Sequence, residues 1–103
     1  MVQARLEGLP ISLEVTAHHL FFSSDDVPEG ATQFKCTPPV RSSANQKALQ
    51  QAVSDGNITV ISSDHSPALA RYKQLESGDF LNAWGGISGE QYLLPVVNTL
   101  ARV

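Results

Sequence analysis

The chain has 103 residues, seven basic and ten acidic, for a formal net charge of −3; that is room for one small domain with a modest core, and it offers no basic stripe to follow a phosphate backbone, which excludes nucleic acid as an expected partner. No apolar stretch approaches the roughly 20 residues of a membrane span, and the start MVQARLEG lacks the cationic-then-apolar order of a secretory signal. A single cysteine, Cys36, forbids an internal disulfide or a cysteine-rich metal cluster, so a soluble chain is expected, compatible with a reducing compartment such as the cytoplasm.

Ile11 to Ala17 alternates apolar and polar residues among β-formers and predicts a strand that ends at His18-His19. Neighbouring strand residues point to opposite faces, so at most one of these imidazoles is expected to face a site at the strand end. Ser23 to Gly30 is turn-rich, with room for one short helical turn before Pro28 and Gly30 stop it. The connection runs on to Pro38-Pro39, and ordered loops of that length commonly wall a site. Within it, Lys35 to Arg41 sets a thiol, two prolines and a guanidinium on a stiff loop. Such a loop can present polar groups or main-chain amides to a ligand, or be a rigid turn with Arg41 in solvent or paired to Asp25 or Asp26. Nothing beside Cys36 would generate a thiolate, which argues against a nucleophile.

From Ala44 the period changes. Ala44, Ala48, Leu49, Ala52 and Val53 fall three or four apart with Asn45, Gln46, Lys47, Gln50, Gln51 and Asp55 between them, which predicts an amphipathic helix. Ser42 or Ser43 is placed to cap its start, and Gly56 to end it in a left-handed conformation. Ile58 to Ser62 then predicts a buried strand that runs into Ser63-Asp64-His65-Ser66-Pro67. A carboxylate and an imidazole at a strand's carboxyl end mark chemistry more often than packing. Asp64 can ligate a divalent ion and accept a proton from metal-bound water; its structural alternative is to cap the turn that Pro67 fixes. His65 can contact substrate or pack. Ser63 and Ser66 lack a Gly-x-Ser-x-Gly elbow. One carboxylate with one or two imidazoles falls short of a zinc site's three or four protein ligands, so a complete centre needs residues this chain does not supply.

Residues 68 to 82 show no clean periodicity, with a break at Gly78-Asp79, and Ala83-Trp84-Gly85-Gly86 predicts a turn. Its glycines would let backbone approach a small planar substrate or allow Trp84 to pack. Ile87 to Leu100 predicts a helix whose start depends on Pro95 lying in a first turn or at a kink. Strand, loop, helix, strand, helix is a parallel β/α order, and two strands cannot make a free-standing sheet of that kind. Either further strands exist, or the chain is a piece of a larger barrel or open sheet, the reading preferred here.

Four ordered motifs resemble the carboxyl-terminal part of the allantoinase family, in the cyclic amidohydrolase superfamily with dihydroorotases and hydantoinases. They are Glu14-Val15-Thr16-Ala17-His18-His19-Leu20, Phe34 to Arg41, Ser62-Ser63-Asp64-His65-Ser66-Pro67 and Gly78 to Ile87. The resemblance implies an α/β fold in which residues 1–103 form about the last two β/α units of a (β/α)8 TIM barrel. It implies hydrolysis of a cyclic amide, allantoin to allantoate, with two bridged divalent ions, usually zinc. Asp64 would bind one metal and act as general base toward the bridging hydroxide; Thr37 and Pro38, His65, and the backbone of Gly85 and Gly86 would line the substrate pocket. His18 matches a motif histidine that is not a metal ligand. The family's other metal ligands would lie upstream, so the two ions are not expected to assemble on this chain alone, which is expected to be inactive by itself. Ala17 and His19 stand where allantoinases commonly have proline and tyrosine, closer to the dihydroorotase form, and Ala68 after Ser66-Pro67 also departs from the usual pattern. A dihydroorotase-like or hydantoinase-like hydrolase is therefore the alternative. So is a non-catalytic remnant that acts only as a structural or interaction protein. Apolar faces left by an incomplete barrel favour a homo-oligomer or a partner.

Overall fold

A computed structural model describes residues 2–102. Its elements are α1 (Val2–Leu6), β1 (Glu14–Thr16), α2 (Ala17–Phe21), α3 (Ser43–Ser54), β2 (Val60–Ser62) and α4 (Leu93–Leu100). Single 3-10 turns lie at Ser24–Asp26, Thr32–Phe34, Ala70–Lys73 and Glu90–Tyr92. β1 and β2 make a two-stranded parallel sheet with Glu14 beside Val60, Val15 beside Ile61 and Thr16 beside Ser62. The expected β/α order and parallel pairing are both present. α1, which the sequence reading did not anticipate, is pinned by Arg5, whose Nη1 donates to the Gly56 and Asn57 carbonyls at 3.1 and 2.5 Å.

The strand expected over Ile11 to Ala17 shortens to three residues, because the chain turns into α2 at Ala17. Helical spacing puts Ala17 and Leu20 on one side, and both are buried with Leu13 and Val15 in the core. His18 and His19 therefore ride on a helix, and the opposite-face argument for a strand pair does not apply to them. Their rings lie 4.5 Å apart.

α3 matches the expected helix, and Gly56 ends it at φ +70° as foreseen. Its inner face differs from the expected one. Ala44 and Ala48 are exposed, whereas Gln46 and Gln50 turn inward. Their amides donate to the Phe21 and Leu20 carbonyls at 2.6 and 2.9 Å, satisfying the C-terminal end of α2. Alanine loses little by facing water, while unpaired helix-end carbonyls demand donors. Neither Ser42 nor Ser43 caps α3 through its side chain; instead the Asp25 carboxylate accepts from the Ser43 amide at 2.9 Å. That bond, with Ser43 and Ser23 side chains assisting, holds the Asp25 carboxyl below its usual 3.8. Asp25→Ala is expected to raise amide exchange in the first turn of α3 while leaving its last turn unchanged. The same fraying should appear in the parent chain as pH falls through the folded Asp25 pKa, because the contribution exists only above it.

Strand periodicity places Val15 and Ile61 toward the helices and Glu14, Thr16, Val60 and Ser62 on the other face. The buried strand expected at Ile58 to Ser62 is not buried here: Val60 is 43% exposed, and no residue of β2 is buried. On that face Glu14 and Val60 are open to solvent, while Thr16 is held by His19. α4 begins at Leu93, which puts Pro95 in its first turn where its missing N–H costs nothing, and Ile87 lies outside the helix in a parallel bridge with His65. The radius of gyration is 15.0 Å, against about 13 Å for a compact domain of this length. Leu6, Leu81 and Leu94 are more than two-thirds exposed. No described helix is long and apolar enough to cross a membrane.

Candidate functional site

β2 ends at Ser62, and two residues later the backbone of Asp64 takes a left-handed conformation, φ +45°. Asp is among the few non-glycine residues that tolerate it, and such strain gathers at functional sites. The carboxylate is solvent-exposed, and among the described residues it makes no hydrogen bond or ion pair. It therefore does not cap the turn, which was the structural alternative for it.

α2 brings His18 next to this strand end. His18 is 5% exposed, and neither ring nitrogen has a hydrogen-bond partner among the described residues. The Ser63 main chain lies near the ring but outside hydrogen-bond geometry. Burial, with His19 alongside, holds the His18 pKa below 6.5 and outweighs the raising effects of Asp64 and Ser63. Between the folded pKa and 6.5 the unfolded chain binds more protons than the folded one, so stability falls on acidification below 6.5 and levels off beneath the folded value. Urea titrations from pH 7.5 to 5 should show this fall, with a slope approaching at most about 1.4 kcal/mol per pH unit. His18→Gln should flatten it; an unchanged slope in that variant would refute the assignment.

His19 is held from both sides. Its Nε2 lies 2.9 Å from the Pro38 carbonyl, which can only accept, so Nε2 carries the proton and Nδ1 accepts from the Thr16 hydroxyl at 2.5 Å. Thr16 is the residue preceding α2, and this contact reaches one turn ahead, as a capping box does. Cys36 Sγ lies 3.9 Å from His19 Nε2, and the cysteine is buried. Burial pushes its thiol above the usual range, with the Val40 amide and Lys73 opposing, which agrees with a non-nucleophilic Cys36.

The loop of Thr37 and Pro38 and the turn of Gly85 and Gly86 meet. A side chain on Gly85 would fall 2.7 Å from Thr37 Oγ1, and one on Gly86 2.5 Å from Ser66 Oγ. The glycines thus admit neighbouring loops, whereas the suggested packing of Trp84 is not seen, since Trp84 is 50% exposed. The fastening is Lys73, which the sequence reading missed. Its ammonium donates to the carbonyls of Lys35, Trp84 and Gly86 at 3.0, 2.9 and 2.8 Å, and the residue is 9% exposed. Burial pushes its pKa below 10.5, the Cys36 sulfur opposing this and Lys35 adding to it. Only the protonated amine has three N–H groups for the three carbonyls. No sequence signal could have found it, because lysine is almost always a surface residue.

His65 adjoins the Gly85-Gly86 turn through its backbone, while its ring is directed to Glu90. Its Nδ1 accepts from the Glu90 amide at 3.3 Å, its Nε2 lies 4.0 Å from the Glu90 carboxylate, and its backbone bridges Ile87. The ring is engaged in holding the Glu90 turn against the end of β2.

A two-metal centre does not fit the donor set of this chain. Asp64 belongs to no group of three convergent donors; among the described residues the only such group is His18, His19 and Cys36. One exposed carboxylate cannot hold two ions.

No protein-family model matches the chain. It is 50% identical over 93 residues to a probable allantoinase of Oryza sativa subsp. japonica, an alignment covering 90% of this chain and 18% of that protein. It is 47% identical over 100 residues to a mitochondrial allantoinase of Aquarana catesbeiana, covering 97% and 21%. Its backbone matches an L-hydantoinase (dihydropyrimidinase) from Arthrobacter aurescens with TM-score 0.85 at 30% identity, over 95% of this chain and 23% of that one. A D-hydantoinase from Thermus sp. gives 0.80 at 26% identity over 97% and 23%. The chain therefore spans about one fifth of the length of the relatives it matches. Within that span the chain resembles the allantoinases in sequence and the hydantoinases in backbone.

Proposed function

We propose that this chain supplies the Asp64 end of an allantoinase-type active site, contributing about the last two β/α units of a (β/α)8 barrel. Glu14, Thr16, Val60 and Ser62 would face the barrel interior. The observation that carries the reading is Asp64 itself: an exposed, unengaged carboxylate on strained backbone at the end of a parallel strand. In the whole protein Asp64 takes a proton from the attacking water as its oxygen bonds to the ring carbonyl carbon. It returns that proton to the ring nitrogen as the carbon–nitrogen bond breaks. Thr37, Pro38 and the Gly85-Gly86 backbone, fixed by Lys73, line the pocket for the small cyclic amide, and His65 braces the loop that follows. Allantoin is preferred over hydantoin or dihydroorotate because identity to allantoinases reaches 50%, against 30% for the hydantoinase structure.

The test is a chimera in which residues 2–102 replace the matching segment of the rice relative. Allantoin turnover is expected to survive, and Asp64→Asn in the chimera should lower kcat by about 10²- to 10⁴-fold with the fold intact by circular dichroism. Turnover of dihydroorotate or hydantoin in place of allantoin would reassign the substrate, and an active Asn variant would remove Asp64 from the reaction. The isolated chain is expected to be inactive.

A further inference from the structure

We propose that His18, His19 and Cys36 form a mononuclear site for a thiophilic divalent cation of the zinc class, separate from the Asp64 carboxylate. Three observations converge on it. The first is the unexplained imidazole: His18 is 5% exposed with both nitrogens unpartnered. Buried polar atoms are rarely left so, and a missing ion is one of the few physical reasons for it. The second is spacing. The ligand atoms of His18, His19 and Cys36 all lie within 4.8 Å of one another, and His19 Nε2 is 3.9 Å from Cys36 Sγ. Tetrahedral bonds of about 2.0 Å to nitrogen and 2.3 Å to sulfur put those two atoms about 3.6 Å apart. Closing the set from at most 4.8 Å needs ligand atoms to approach one another by no more than about 1.5 Å.

The third is the support around the ligands. Thr16 grips His19 at Nδ1, on the side away from Cys36, as an outer partner orients a ligating imidazole. On binding, the His19 proton moves from Nε2 to Nδ1, and the Thr16 hydroxyl turns from donor to acceptor. The Pro38 carbonyl, released from Nε2 at 2.9 Å, is left beside the ion as an oxygen donor. The balance is simple: the ion enters, the Cys36 S–H bond breaks, a metal–sulfur bond forms, and one proton leaves to solvent. Two imidazoles and a thiolate select zinc, cadmium or cobalt and disfavour magnesium or calcium, which require oxygen ligands.

The probe is Co(II), titrated into the purified chain. Expected are one ion per chain, tetrahedral ligand-field absorption, a sulfur-to-cobalt charge-transfer band, and one proton released per ion by calorimetry in buffers of different ionisation enthalpy. Cys36→Ser should abolish the charge-transfer band. Thr16→Val, which spares all three ligands, should weaken affinity about 10- to 100-fold, and Asp64→Asn should keep the tetrahedral spectrum and the sulfur-to-cobalt band. Octahedral spectra without the sulfur band, or binding lost with Asp64→Asn but not with Cys36→Ser, would overturn the site. The parent chain's band and proton count decide the matter even where a variant fails to fold.

Discussion

Lys73→Met is expected to destabilise the chain by about 3–5 kcal/mol, since it removes a charged donor from three carbonyls that no other described group serves. Methionine fills nearly the same volume, so the loss reports hydrogen bonding rather than a cavity. Lys73→Arg should be nearly as damaging, because a planar guanidinium cannot aim three donors at carbonyls that converge on one point. Against a total stability of roughly 5–15 kcal/mol for a small domain, either change leaves little margin. Urea unfolding followed by Trp84, the only tryptophan, reads the loop directly. A midpoint within error of the parent would show that the ammonium contributes nothing.

Gly86→Ala should cost about 2–4 kcal/mol, the range of overpacking against backbone that cannot move aside. The added methyl would lie 2.5 Å from Ser66 Oγ and 2.8 Å from both Ser66 Cβ and Ser66 O. Ser66 cannot retreat, because its amide donates to the Ile87 carbonyl at 3.0 Å and the Gly86 carbonyl is held by Lys73. The neighbouring Gly85→Ala meets only Thr37 Oγ1 at 2.7 Å and Thr37 Cβ at 3.7 Å among close side-chain atoms. A hydroxyl can rotate, so that change should cost under about 1 kcal/mol. Adding Ser66→Ala to Gly86→Ala should recover part of the loss, not all, since the carbonyl clash remains. Thermal unfolding of the four chains tests the order, and equal effects at Gly85 and Gly86 would refute the steric account.

Much of the local structure was legible in the chain itself. The period of three to four from Ala44 located α3, Gly56 marked its end, and β2 with its polar terminus marked Asp64, because these signals depend on neighbours within a few residues. Reasoning from local pattern failed where a distant group decided. Alternation at Ile11 to Ala17 predicts a longer β1 than exists, because it carries no sign that Thr16 and His19 pair across the start of a helix. Local pattern points to Ser42 or Ser43 as the cap of α3, whereas Asp25 arrives from 18 residues away. Gln46 and Gln50 read as a solvent face, since nothing local reveals that α2 needs donors for its last carbonyls.

Sequence alone determined the parallel β/α order, the family resemblance, and Asp64 at a strand's carboxyl end. These follow from periodicity and from residue order, which are properties of one dimension. Only the tertiary structure decided that Lys73 joins the two candidate pocket loops, that Gly86 is required by Ser66, and that His18, His19 and Cys36 converge. Each depends on contacts between segments far apart along the chain, where a buried lysine, a packed glycine or an orphaned imidazole has the same letter as one exposed to water. The physical reason is that burial and hydrogen-bond satisfaction are set by what folds over a residue, and these decide whether its chemistry is silent or available.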